Sequence, residues 1–340
     1  MPRHHAVQVP ATTANLGAGF DAFGLALDRH LAARTVPVDS QPERVRHLDD
    51  HPSGLPTGDD NLIWTSLVAF CEEHGVEVPD VAITTRCAIP AERGLGSSSA
   101  AIVAGLTLGR ALTGVPVGDP DLVRLADRLE GHPDNVAPAL LGGLVACARD
   151  DAGDLVVRRV NPTPVLRPVA LVPEVRSLTA TTRETLPEAL SRADVTTQVG
   201  RAGHVLAALT GTWPVSAALI GDRLHEPVQL AEMGPSGKVL ATLRADGVHA
   251  WLSGAGPSVV AAVPSADAST SAAVVQLAGA HGFTAVDLQV DLAGALCCPD
   301  DGCGLAGRRG CPQCPAAKVD GPAACGGRPL ADGWAHDRGG

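Results

Sequence analysis

Two hydrophobic periods alternate along the chain. Runs rich in β-branched and apolar residues at Ala6–Pro10, Val36–Asp39 and Val81–Thr85 predict short strands. Between 61 and 74, Leu62, Ile63, Leu67, Val68 and Phe70 fall on one helical stripe. Ser98–Leu112, built of small and apolar residues, predicts a second helix and Leu122–Leu129 a third, ending near Glu130-Gly131. Asn135–Leu141 predicts a fourth, stopped by Gly142-Gly143. From about Gly153 the pattern restarts, with strands at Leu155–Val160, Val165–Val172, Val259–Val263 and Thr284–Val290 and helices at Ala202–Thr210, Ala217–Leu224 and Ser271–His281. Interspersed strands and helices predict a mixed α/β or α+β class. After about Gly294 the apolar period stops, and six of the nine cysteines crowd among Gly and Pro.

Composition narrows the functional classes. At 340 residues the chain is long enough for two subdomains, and 45% hydrophobic with 19% charged residues describes a globular protein. Aromatic residues make up 2%, Tyr is absent and the net charge is −11, which argues against nucleic acid as a partner. No apolar run reaches membrane-spanning length, and the opening Met1-Pro2-Arg3-His4-His5 lacks the apolar core of a signal peptide. A cytoplasmic location with no membrane contact is therefore expected, with Cys71, Cys87 and Cys147 reduced.

The segment most telling about chemistry is Pro90-Ala91-Glu92-Arg93-Gly94-Leu95-Gly96-Ser97-Ser98-Ser99-Ala100, between a predicted strand and a predicted helix. Glycines admit a close backbone approach to an anion, successive amides form an anion nest, and a following helix adds its positive end. Serine hydroxyls can donate to phosphate oxygens or ligate a hard cation. The Gly-Lys-Ser/Thr ending of a Walker A loop is missing, as is the dinucleotide Gly-x-Gly-x-x-Gly spacing. A second cluster, Glu130-Gly131-His132-Pro133-Asp134-Asn135-Val136-Ala137-Pro138, puts two carboxylates, an imidazole and an amide in one turn, suited to a hard cation and a polar substrate. A third block, Pro10–Leu27, carries Asn15 and Asp21 on a Gly-rich loop. Taken singly, these residues also read as helix caps and turn residues.

Together the blocks resemble the GHMP kinases, and within them the homoserine kinases. Gly94-Leu95-Gly96-Ser97-Ser98-Ser99-Ala100 is similar to that family's phosphate loop, and 130–138, 10–27, Asp60-Asn61-Leu62-Ile63, Ser177–Arg183 and Leu252–Ser258 resemble its other blocks. The resemblance spans about residues 6–294. It implies a two-domain α+β fold, with a ribosomal protein S5 domain 2-like N-terminal domain (1–155) and a ferredoxin-like C-terminal domain (156–294); the Gly/Pro/Cys-rich composition beyond it predicts a disordered tail (295–340). The resemblance implies transfer of the ATP γ-phosphoryl group to the L-homoserine hydroxyl. ATP would be held by Asn61 beside the adenine and by Pro90, Arg93, Gly94, Leu95, Gly96, Ser97, Ser98, Ser99 and Ala100, with Mg²⁺ on Ser98 and Glu130. Substrate would meet Asn15, Asp21, His132, Asp134, Asn135, Arg183, Gln229 and Gly254. Catalytic roles fall to Asn15, Asp21, Thr179 and Arg183, with Asp21 orienting the hydroxyl and no residue serving as an essential base. A homodimer is frequent in the family and stays open here.

One position departs from the resemblance. After His225-Glu226-Pro227 the family carries an Arg that clamps the amino-acid carboxylate, whereas this chain reads Val228-Gln229. Weaker homoserine binding or a shifted acceptor is the expected consequence. Three competing readings follow: a GHMP kinase for another alcohol, a nucleotide-binding protein without turnover, and a metal-binding module in the tail. For the last, Cys311-Pro312-Gln313-Cys314 has zinc-knuckle spacing that Cys298, Cys303 and Cys325 could complete, although the spacings are irregular.

Overall fold

A computed structural model describes residues 5–48, 54–174, 186–187 and 189–299. Its longest ladder joins β1 (His5–Ala14) to β2 (Phe23–Pro37), antiparallel, with a bulge at Pro10/Ala11. The bulge explains why β2 is hidden in the sequence. It shifts the inward phase around the exposed Asp28 and Arg29, so no single alternation runs through the strand. The predicted strand at 36–39 is only the end of β2, which gives way at Pro37 to a 3₁₀ turn, Val38–Ser40. Around this pair a seven-stranded sheet is laid in the order β11-β1-β2-β4-β3, with β5 pairing both β2 and β6. Here β3 is Val45–His47, β4 Val81–Cys87, β5 Leu144–Arg149, β6 Leu155–Val160 and β11 Leu296–Pro299.

Four helices accompany this sheet: α1 (Leu62–Glu73), α2 (Ser97–Thr113), α3 (Asp119–Glu130) and α4 (Pro133–Leu141). Most begin where the sequence supplies a start. Asn61 caps α1 by accepting from the Ile63 amide, and Pro lies in the first turn of α3 and α4. The buried stripe of α1 (Ile63, Leu67, Phe70) packs with Ile102, Leu106 and Leu108 of α2 in one continuous core.

The second sheet is antiparallel in the order β10-β7-β9-β8, made from β7 (Leu166–Pro173), β8 (His249–Leu252), β9 (Val259–Pro264) and β10 (Phe283–Asp287). It is buried on both faces, and β9 shows how. Val259, Ala261 and Val263 meet a core that includes Val239, Leu243 and Val274, whereas Val260 and Ala262 join the main core with Trp251, Val205 and Leu209. A strand apolar at every position has a face for each side. The helices of this half are α5 (Arg192–Leu209), α6 (Glu226–Glu232), α7 (Gly234–Ala245) and α8 (Ala268–Ala280).

Three expectations need correction. The helix expected at 217–224 is a single 3₁₀ turn, Ala217–Leu219, because Asp222 turns its carboxylate back to accept from the amides of Leu224, His225 and Glu226 and so starts α6 instead. A boundary at 155/156 would fall inside β6, which pairs with β5 in the first sheet through Val160. The tail does not begin at 295: β11 zips onto β1 with His5 opposite Pro299, and Ala295, Leu296 and Cys298 are buried. Cys298 of the suggested zinc set is buried in this strand, and the other members of that set lie outside the described residues. Among the described residues no helix is long and apolar enough to cross a membrane.

Candidate active site

Helix α2 points its N-terminus into a cavity of about 380 Å³ between the two halves of the molecule. The loop ahead of it turns on two left-handed glycines, Gly94 (φ +73°) and Gly96 (φ +70°). At Gly96 the requirement is steric as well as conformational, since a Cβ there would lie 1.9 Å from Thr12 Oγ1. Neighbouring strands hold the loop. The Thr12 amide donates to the Leu95 carbonyl (3.1 Å), and Ser253 Oγ donates to the Gly94 carbonyl (2.6 Å). Ser253 Oγ also lies 2.8 Å from Thr13 Oγ1, which accepts from Trp251 Nε1 (2.9 Å). The 252–258 turn thus buttresses the loop from the second sheet.

At the helix start, Ser98 Oγ and Ser99 Oγ both donate to Glu130 Oε1, at 2.7 and 2.8 Å. Glu130 ends α3, where the left-handed Gly131 (φ +90°) turns the chain into α4. Two hydroxyls and a carboxylate beside the positive end of a helix form an oxygen set suited to a hard divalent cation. The first-turn amides of a helix have no intrahelical partner and suit an anion.

A polar corner adjoins this wall. His132 Nδ1 lies 2.6 Å from Asp134 Oδ1, and ligating atoms of Asp21, His132 and Asp134 fall within 4.8 Å of one another. Asn135 Oδ1 accepts from Thr12 Oγ1 (2.7 Å), tying the corner to the strand that buttresses the Gly94–Ser99 loop. Asn15 Oδ1 accepts from the Asp21 amide (3.1 Å), and Asn15 Nδ2 donates to the Gly254 carbonyl (3.2 Å). Gln229 lines the same cavity, 2% exposed, and its Oε1 has no hydrogen-bond partner among the described residues. Away from this corner the walls turn apolar, with Leu55, Pro56, Leu62 and Ile63 beside Asp60 and Asn61.

Most residues singled out in the sequence meet here. Asn15, Asn61, Arg93, Gly94, Gly96, Ser97, Ser98, Ser99, Glu130, His132, Asp134, Asn135, Gln229 and Gly254 all line the cavity. Leu95 and Ala100 are instead buried beneath the loop, and Pro90 stands ahead of it without joining the walls. Arg93 gives Nε to the Pro173 carbonyl (2.9 Å) and Nη2 to the Glu174 carbonyl (2.5 Å), bracing the loop to the end of β7. Thr179 and Arg183 lie outside the described residues. The sequence pattern does not reveal the walls supplied by Leu31, His47, Thr85 and Cys87. These come from strands whose order in the sheet carries no local signal.

Comparisons with known proteins agree with this geometry. Residues 61–143 match the family described as GHMP kinases N terminal domain. The homoserine kinase of Desulfitobacterium hafniense is 36% identical over 294 residues, covering 85% of this chain and 98% of the relative. That of Mycobacterium tuberculosis is 37% identical over 293 residues, covering 83% and 90%. Among solved structures, homoserine kinase from Cytophaga hutchinsonii superposes with a TM-score of 0.73 at 27% identity, covering 88% of this chain and 98% of that one. A mevalonate kinase from L. major shares the fold at a TM-score of 0.60 and 15% identity, covering 83% and 94%.

Proposed function

The chain belongs to the homoserine kinases of the GHMP kinase family, and from that premise we propose that it transfers the γ-phosphoryl group of ATP to the hydroxyl of L-homoserine, giving O-phospho-L-homoserine. One observation supports this reading above the others. The serine pair and Glu130 converge at the N-terminus of α2, in a cavity also lined by His132 and Asp134, beside which Asp21 lies without itself lining the cavity.

Phosphoryl transfer demands positioning and charge neutralisation more than covalent chemistry from the protein. The loop amides from Gly94 to Ser99 would receive the polyphosphate, and the apolar end by Asn61 would receive the base. Ser98 and Glu130 would hold Mg²⁺, which when bound neutralises phosphate charge. The residues themselves set the acceptor. Asn15 and Asp21 orient its amino and hydroxyl ends, and His132, held by Asp134, limits where the hydroxyl can lie.

Gln229 favours a second reading, a related acceptor alcohol lacking the carboxylate. A buried neutral carboxamide offers a hydrogen bond but no charge. ATP consumption with L-homoserine and a panel of small alcohols, with and without Mg²⁺, tests both readings, and phosphorus NMR identifies the ester. Mg²⁺-dependent formation of phosphohomoserine is expected. Nucleotide binding with no ester from any alcohol would overturn the assignment to a kinase.

A further inference from the structure

His225 stands just ahead of α6 and is completely buried, yet it is wired to the polar corner. Its ring stacks on Phe20 of the 10–27 loop, with centroids 5.0 Å apart and planes 25° from parallel. Its Nδ1 lies 3.0 Å from Asp222 Oδ1, and its Nε2 lies 3.3 Å from Asn15 Nδ2. The Nδ1 contact is ionic in distance. Asp222 is itself fixed. Burial alone would raise its pKa, but contact with the His225 ring and the backbone amides of His225 and Glu226 outweighs burial and holds it below the usual carboxylate value.

The hydrogen-bond logic leaves one proton arrangement. The Asp21 amide can only donate, so it meets Asn15 Oδ1; the Gly254 carbonyl can only accept, so it meets Asn15 Nδ2. Both ends of the Asn15 carboxamide are therefore assigned, and its second N–H points at His225 Nε2. That nitrogen must be an acceptor, which puts the ring proton on Nδ1, facing Asp222. The loop that this holds is strained, with Asn15 (φ +68°), Leu16 (φ +49°) and Asp21 (φ +54°) all left-handed without being glycine. Asn15 side-chain bonds clamp its two ends.

We propose that His225, backed by Asp222, is a positioning residue for the acceptor, acting through Asn15: its Nε2 accepts the second N–H of that carboxamide and so holds it firmly against the Asp21 amide and the Gly254 carbonyl, where the acceptor's polar groups are met. This rests on the acceptor reading of the corner given above. Neither residue touches the cavity's contents. Their effect is to add a third anchor to a carboxamide whose orientation the Asp21 amide and the Gly254 carbonyl assign.

Two variants and a spectrum test this. His225→Phe keeps the stacked ring and removes the acceptor nitrogen, whereas His225→Gln returns an acceptor oxygen near the place of Nε2. A buried donor left without a partner predicts a roughly ten- to hundredfold fall in kcat/KM for the acceptor alcohol in His225→Phe. The nucleotide dissociation constant should stay within about twofold, and His225→Gln should recover most of the loss. Equal losses on both substrates, or no rescue by Gln, would make His225 a packing residue and overturn the proposal. Nitrogen-15 NMR of the histidine-labelled wild-type protein should show His225 as the Nδ1–H tautomer, and an Nε2–H signal would overturn it without reference to activity. If wild-type protein proves inactive on L-homoserine, the acceptor reading fails separately, while the tautomer and the variant-to-wild-type ratio on whichever alcohol is turned over still decide this one.

Discussion

Gly96→Ala puts the phosphate-loop assignment to a quantitative test. An L-residue in the left-handed region costs roughly 1–2 kcal/mol. The added Cβ would also meet Thr12, whose Cβ and backbone N stand 3.1 and 3.2 Å from it besides the hydroxyl at 1.9 Å, so rotating the threonine does not clear the space. Displacing that hydroxyl gives up its bond to Asn135, worth about 1 kcal/mol. Together these come to about 2–3 kcal/mol. In the free protein the loop can relieve this by shifting away from β1, but a nucleotide must pull it back, so the cost falls on binding. It corresponds to a roughly thirty- to hundred-and-fiftyfold weaker ATP dissociation constant. The far end of the same helix supplies the control. Gly114 is also left-handed (φ +71°), with nothing within 4 Å of an added Cβ, so Gly114→Ala should lower the melting temperature slightly and leave ATP affinity unchanged. Calorimetric titration of both variants with a non-hydrolysable ATP analogue separates the cases. A folded Gly96→Ala protein that binds nucleotide as the wild type does would refute the assignment of this loop to the phosphates.

Three further outcomes are expected. Gln229→Arg exchanges a neutral hydrogen bond of ~0.5–1.5 kcal/mol for a charged one of ~1.5–3, so the KM for L-homoserine should fall about five- to tenfold; an unchanged KM would show that the carboxylate is held elsewhere. His249 is 1% exposed, and burial, reinforced by the positive Arg244 and by His204, pulls its pKa from 6.5 down to about 3. The folded state keeps it neutral while the unfolded chain protonates it, so its contribution is intact above pH 6.5 and lost toward pH 3, at about 1.4 kcal/mol per pH unit. The melting temperature of His249→Phe should therefore fall less than that of the wild type between pH 7 and 5, and parallel curves would refute this. A chain ending at Pro299 should melt several degrees above one ending at Gly294, because the shorter chain loses buried Leu296 and bares the β1 edge; equal melting temperatures would deny β11 a structural part.

The candidate site is far more legible in the sequence than the fold around it. Gly94–Ser99 and 130–135 each carry their chemistry within a few adjacent residues, so each stands out as a block that the family resemblance can then be read from. Their meeting through Glu130 and the two serines is a tertiary fact, yet each partner stands out within its own segment. Strand β2 stays hidden because its bulge breaks the alternation, and α6 and α7 because Pro227, Gly234, Pro235 and Gly237 read as loop. His225 is legible only as part of a pattern. Nothing local distinguishes an imidazole that orients an asparagine 210 positions earlier from one that simply fills a core.

The pairing of β11 with β1 also bears on the order of events at the ribosome. The first strand to emerge is flanked on one side by β2, made soon afterwards, but its other edge is met only when residues 296–299 leave the exit tunnel. Throughout synthesis of the second half, the nascent N-terminal sheet therefore exposes a row of unpaired backbone groups, a template for other strands. The last few described residues thus act as a latch on the β1 edge, and the N-terminal sheet gains its outer strand only after the second half has been made.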